Sequence, residues 1–467
     1  MAATVKLPSD SQSERRISPI SWTRELRETL ALASPLIVAQ LAQMALFTTD
    51  AIMMGWLGPK YLGAGMLTVS FVHPFFLFGV GVLSAVAPMV AQAKGAGDTA
   101  SVRRSVRQGF WVAVVVTGLL TPIIWHVRPI FELLGQSEEV SLLAQSYARS
   151  AVWLFFPALA FIVVRTLLAS HGDTSVVLII TIFGVVVNAA GNYALIFGHW
   201  GFPRLELMGS GLATAFVNTL MFLMLLGYAL MRPTYRRYEL FVRFWKPDWS
   251  RFGRILAVGT PIGFMMMAEV GLFSAAALFM GWLGTDALAA HAVALQYAAI
   301  SFMVPMGLGH AATVRVGLAY GRRSAEGIRK AGWVSIIIGT GFMALTCTTF
   351  LLVPRPLLGL FLDPAEPQNA VPLALAVSYL GIAALFQLAD GAQVVAGAVL
   401  RGLSDTAMPM VIAIVGYWGI GVPVAYLLGF TFGLRGVGVW IGLASGLVAV
   451  AVILSVRFSL RERLGLV

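Results

Sequence analysis

A chain of 467 residues with 58% hydrophobic and only 11% charged side chains, at a mean hydropathy of +0.84, has too little polar surface to cover a water-soluble globule of that size. The net charge of +11 does not indicate nucleic acid, because the basic residues sit at the ends of apolar runs, where membrane topology accounts for them. Cys347 stands alone in an apolar run, and the six histidines have no metal-site spacing, so neither a disulfide nor a resident metal or cofactor is expected.

In chain order, residues 1–28 are polar, lack a small-residue cleavage site and read as a cytoplasmic tail. Apolar runs then start near 30, 62, 108, 147, 176 and 207, which together make an N-lobe over 29–231. The basic stretch RPTYRRYELFVRFWKPDWSR, 232–251, links this to runs starting near 255, 287, 331, 372, 407 and 435, a C-lobe over 252–457, with a second tail at 458–467. Each run can cross a hydrocarbon core of about 30 Å as a helix. The fold class is therefore an all-α polytopic membrane protein of twelve transmembrane helices in contact with lipid. About 24 lysines and arginines lie in the tails and even-numbered loops against about six in the odd-numbered loops. That bias predicts an inner-membrane protein with both termini cytoplasmic. No GxxxxGK[ST] motif occurs, the loops are too short for an ATPase domain, and no nucleophile and base recur with recognisable spacing, so an enzyme is not expected.

The two lobes repeat one another. MGWLG occurs at Met54–Gly58 and again at Met280–Gly284, and sliding residues 31–97 onto 257–323 without a gap gives 19 identities in 67, including Pro35 with Pro261, Gly81 with Gly307 and Gly95 with Gly321. HGDT at His171–Thr174 meets LSDT at Leu403–Thr406 at an offset of 232, which loop insertions explain. Six spans per half is an even number, so both halves insert in the same orientation. This parallel repeat predicts a pseudo-two-fold axis along the membrane normal, with substrate between two rocking lobes. Because the repeat already supplies a second lobe, a monomer is expected.

Of 21 acidic residues, 18 fall in tails, loops or helix ends. The others are Asp50 in span 1, Glu269 in span 7 and Asp390 in span 10. A carboxylate at a helix centre costs about 2.5–3.5 kcal/mol on insertion scales, which marks all three as candidates for an ion or substrate path. The alternative is pairing with a buried base, for which Arg165, Arg315 and His73 are available, although both arginines stand near cytoplasmic helix ends, where they are expected to snorkel. Asp50 aligns with Ala276 and Glu269 with Gln43, so the lobes do not share their charges. Asn188 and Asn192, one helical turn apart, and Thr214 offer neutral oxygens to Asp50, a set suited to a hard cation or a proton relay. In the C-lobe, Gln387 and Gln393 flank Asp390, and Gln296, Tyr297 and Gln387 are candidates for a substrate cleft.

Several motifs are similar to those of a known family: DAIMMGWLG at 50–58, P-x-V-A-Q at Pro88–Gln92, N-x3-N-Y at Asn188–Tyr193, Glu269-x3-Phe273, AATVRVG at Ala311–Gly317, and D-x2-Q-x6-LRG at Asp390–Gly402. Together, over nearly the whole chain, they resemble the multidrug and toxic compound extrusion (MATE) family in its NorM-like branch. The resemblance implies two six-helix lobes forming a V-shaped cleft. It also implies an antiporter that expels cationic, amphipathic drugs and dyes in exchange for H+ or Na+. By resemblance, Glu269 and Asp390 match the C-lobe cation site and Asp50 matches the N-lobe acid. One position departs: Phe386 stands where relatives often carry Tyr, which removes a hydroxyl ligand from a Na+ site at Glu269 and Asp390 but leaves a ring face for a cation. Two alternatives remain. A flippase for lipid-linked precursors would require a strongly cationic cleft, and a channel would not need two lobes with unequal buried charges.

Overall fold

The computed structural model describes residues 21–467, and among them twelve helices are long and apolar enough to cross a membrane. Spans 1 to 6 are Trp22–Leu57, Pro59–Gly95, Thr99–Trp125, Glu138–His171, Thr174–Phe197 and Glu206–Met231. Spans 7 to 12 are Trp249–Leu283, Thr285–Gly321, Ala325–Leu352, Pro367–Gly402, Ala407–Thr431 and Arg435–Ser459. Five begin well before the apolar run that announces them, because side-chain caps start the helix in the preceding polar segment. Ser21 accepts a hydrogen bond from the amide of Arg24, and Asp98, Ser137, Asp248 and Ser324 cap spans 3, 4, 7 and 9 in the same way. Asp98 and Ser324 are 226 positions apart, so the cap belongs to the repeat. Of the polar N-terminal stretch, residues 1–20 lie outside the described residues, while Trp22 to Glu28 form the first turns of span 1.

Three spans are irregular at or near proline. Span 2 is interrupted at Ala85, and span 4 tightens to a 3-10 turn at Val152–Leu154 before Pro157. Span 11 carries π-helical segments at Val415–Gly421 and Leu427–Thr431, on either side of Pro423. Proline has no amide hydrogen and its ring crowds the preceding turn, so in span 11 the wider π-helical turns spare the helix a clash.

In the N-lobe, span 5 packs against spans 1 and 6; in the C-lobe, span 10 is central, packed by spans 8, 9 and 12. Across the seam, span 2 meets span 7, span 1 meets span 8, and the end of span 2 meets span 8. The closest approaches are at glycine. A Cβ on Gly95 would collide with the carbonyl of Leu318, and one on Gly321 with the carbonyl of Gln92. These two glycines are repeat partners that face each other, which places the contact on the symmetry axis. Gly81 likewise packs against Gly263, and Gly307 packs against Ile37, the same pair with the halves exchanged. Such reciprocity is what a two-fold interface requires, and it bears out the parallel repeat.

Other inter-lobe contacts lie in the same half of the molecule, the half that holds both ends of the described chain. Gln92 Nε2 donates to the carbonyl of Gly402 (2.9 Å) and to Ser404 Oγ (3.0 Å), and Phe78 meets Phe264 edge-on with ring centroids 5.3 Å apart. Joined at one end, the lobes enclose the V-shaped cleft of the expected fold class. The basic segment between the halves is docked on the N-lobe: Arg107 Nη1 donates to the carbonyl of Arg243 (2.7 Å), Tyr238 Oη lies 2.9 Å from His171 Nε2, and Tyr235 Oη donates to Asp173 Oδ2 (2.5 Å). Burial, reinforced by the Asp173 carboxylate, holds the Tyr235 phenol well above its ordinary pKa.

Candidate functional site

Two polar stations lie inside the lobes. In the N-lobe, spans 1, 5 and 6 converge on Asp50, which is buried with Asn188 and Asn192. Asp50 Oδ1 accepts from Asn188 Nδ2 (3.1 Å) and Asn192 Nδ2 (2.6 Å), and Oδ2 accepts from Thr214 Oγ1 (2.9 Å). The i, i+4 spacing of the two asparagines puts both amides on one face of span 5. Asn192 Oδ1 is buried without a hydrogen-bond partner among the described residues, and so remains a free acceptor beside the carboxylate.

In the C-lobe, Glu269 and Asp390 are joined by one amide. Gln393 Nε2 donates to Glu269 Oε1 (3.1 Å) and lies 3.4 Å from Asp390 Oδ1, while Gln393 Oε1 accepts from the hydroxyl of Tyr417 (2.5 Å). Gln387, one turn before Asp390, is fully buried, and both its amide atoms lack partners among the described residues. Phe386 is fully buried between the rings of Phe273 (6.1 Å between centroids) and Trp440 (5.7 Å). Among the described residues, none of the three acids makes an ion pair. Two carboxylates sharing one amide, with no base in salt-bridge contact, favour a positive species between them, either a proton or a metal cation. No group of three His, Cys, Asp or Glu residues that could hold a metal occurs among the described residues. A cation at Glu269 and Asp390 would therefore complete its shell from a neutral oxygen such as that of Gln387.

The remaining candidates are placed differently. Tyr297 is buried and its hydroxyl donates to the carbonyl of Leu357 (2.5 Å), while Gln296 is half-buried on the same helix. His73 meets the ring of Phe47 at 6.4 Å and pairs with no acid among the described residues. Arg315, expected to snorkel, instead bridges the lobes: its Nε and Nη2 donate to the two carboxylate oxygens of Glu25 (2.9 and 2.5 Å), and Nη2 also reaches Glu28 at 2.8 Å. The cause is the Ser21 cap, which extends span 1 and turns Glu25 and Glu28, three residues apart, toward span 8. Glu25 is 1% exposed, a further buried acid that its polar sequence context conceals. Tyr417 carried no sequence signal either, since tyrosine is unremarkable in an apolar span; the C-lobe network reveals it.

A family profile described as MatE matches residues 35–194 and 261–427 of the chain, one segment in each lobe. The chain is 46% identical to a protein of Rhizobium meliloti (strain 1021) named "Probable multidrug resistance protein NorM", over 94% of each chain. It is 44% identical to a protein of the same name from Mesorhizobium japonicum, over 95% of each. Among solved structures, a "eukaryotic MATE transporter AtDTX14" superposes with a TM-score of 0.83 at 19% identity, covering 96% of this chain and 100% of that one. An "outward-facing conformation of a multidrug resistance MATE family transporter of the MOP superfamily" gives 0.84 at 19% identity, covering 96% and 98%. With matched segments in both lobes and relatives aligned along nearly their whole length, the chain belongs to the MATE family of transporters and is not an enzyme.

Proposed function

We propose that this protein is a secondary active multidrug exporter of the cytoplasmic membrane, with both termini in the cytoplasm. It exchanges cationic amphipathic compounds for H+ or Na+ by alternating access, as a monomer. The observation that carries the antiport reading is the C-lobe pair: Glu269 and Asp390 on one amide, without a neutralising base. The coupling ion and a cationic drug compete for this charge, and such competition keeps the ion gradient from being dissipated without export. A monovalent drug exchanged for one proton moves no net charge, whereas two ions per drug would draw on the membrane potential at about 2.3 kcal/mol per 100 mV.

Support for a lipid-precursor flippase is weaker. Such a substrate needs an open cationic cleft, but Arg315 is neutralised by Glu25 and Glu28, and Arg165 and Arg401 line a cavity of only about 30 Å³.

Everted vesicles free of Na+ and given only a pH gradient test the coupling ion. With Phe386 in place of a hydroxyl-bearing ring and three carboxylates able to titrate, the wild type is expected to extrude a cationic dye under these conditions, and Phe386→Tyr is expected to shift the response toward Na+. Efflux that starts only on adding Na+, with no response to pH, would return the site to Na+ coupling. Tyr417→Phe isolates the hydroxyl that the site does have. It strands the buried Gln393 Oε1, at a cost of about 1–3 kcal/mol, and frees the amide that joins the acids. The ion concentration for half-maximal efflux should rise about three- to tenfold; an unchanged value would reduce Tyr417 to packing.

A further inference from the structure

Three basic side chains at the seam lie outside the two polar stations. Arg165 of span 4, His310 of span 8 and Arg401 of span 10 line a single cavity of about 30 Å³ between the lobes, together with Ser84, Thr166 and Thr313. Arg165 is 8% exposed and makes no hydrogen bond or ion pair with any described residue. His310 feels the charges of both arginines, and the one carboxylate that bears on Arg401, Glu269, does so beyond ion-pair distance. The three hydroxyls donate to backbone carbonyls, Ser84 to Val80 (2.7 Å), Thr166 to Ile162 (2.8 Å) and Thr313 to Gly309 (3.0 Å) and Ala398 (2.9 Å), and so give the guanidiniums no negative charge.

This arrangement needs a counter-charge. A guanidinium keeps its proton in proteins, and burying one unpaired is costly. Here the N-lobe Arg165 shares a cavity with the C-lobe Arg401 across a seam that the glycine contacts hold shut, so repulsion opposes closure where packing requires it. No acid among the described residues is in salt-bridge contact with Arg165 or Arg401. The cavity has room for about one or two waters, enough for a monatomic anion and too little for an organic phosphate.

We propose that Arg165, His310 and Arg401 form a binding site for a monatomic inorganic anion, chloride in the cell, completed only when the two lobes close at this end. Because the donors come from both lobes, the anion binds the closed seam and not the separated one, and so favours closure by its differential affinity. The inference rests on the transport reading only in taking seam closure as one of two working states; anion binding itself can be measured without transport.

The test uses the purified full-length chain with potassium gluconate replaced stepwise by potassium chloride at constant ionic strength. Chloride should raise the unfolding midpoint saturably, by about 2 °C. In a Cys347→Ser background, it should also increase thiol cross-linking between Gln92→Cys and Ser404→Cys, whose parent side chains touch across the seam. Arg165→Gln and Arg401→Gln should each abolish both responses. Midpoints and cross-linking that do not change on replacing gluconate overturn the site, as does a chloride response that survives in both variants. Should the variants not fold, bromide decides on the wild-type protein: an anomalous-scattering peak between Arg165 and Arg401 supports the site, and no peak there overturns it.

Discussion

Dye efflux driven by an ion gradient is expected to fall at least about tenfold, toward background, in either Asp390→Asn or Glu269→Gln, while the protein still reaches the membrane in normal amount. Removing a charge from the middle of a span eases insertion, so poor expression is not the expected defect. The geometry explains why each acid matters alone. Gln393 donates to both carboxylates through one nitrogen, and its oxygen is held by Tyr417, so the amide cannot turn around to accept from a neutral replacement. An amide at either position leaves one carboxylate where the wild type offers two. The measurement is efflux from proteoliposomes under an imposed pH or Na+ gradient, with drug binding to the same preparations as a control. Binding that persists while gradient-driven efflux is lost is the expected pattern. Wild-type efflux in both variants would remove the C-lobe pair from the coupling mechanism.

Asp50→Asn is expected to give a similar loss by a different route. The substitution is nearly isosteric, and the surroundings can accept it: the new amide oxygen can keep the donors of Asn188 and Asn192, and its nitrogen can donate to Thr214 Oγ1, because a hydroxyl both gives and accepts. Folding should therefore survive with every partner satisfied. What is lost is the charge and the ability to exchange a proton or bind a cation. An unfolding midpoint within about 2 °C of wild type, combined with loss of efflux at every pH from about 6 to 8, the range around neutrality where a carboxylate held by amides would be asked to act, is the expected result. Full activity with normal stability would make Asp50 a polar peg between spans 1, 5 and 6.

Much of this was legible because a membrane makes charge conspicuous. Asp50, Glu269 and Asp390 stand out against apolar neighbours, and the repeat shows that each belongs to one lobe only. The i, i+4 pair Asn188 and Asn192 could be assigned to one helix face from spacing alone. What the sequence concealed has specific causes. Glu25 lies among polar residues, and only the Ser21 cap, by extending span 1, makes it an interior acid and the partner of Arg315. Tyr417 stands 27 positions beyond Asp390, on a span whose π-helical turns shift side-chain direction, so no helical spacing rule aims it at Gln393. Arg401 is visible in the LRG motif, but its approach to Arg165 depends on the two lobes meeting, which no local pattern encodes.

The seam where Gly95 faces Gly321 also bears on ancestry. A contact that each copy makes with the other's counterpart could equally be made by two separate, identical six-helix chains, each offering its glycine to its twin. In such a pair every carboxylate would have come in duplicate, and any change would have altered both sides at once. A single polypeptide is free of that constraint: one half carries an acid at 50 and the other at 269 and 390. At Gly95 and Gly321 that freedom is absent, because a side chain on either glycine would strike the opposite backbone: where the halves meet most closely, they must stay alike.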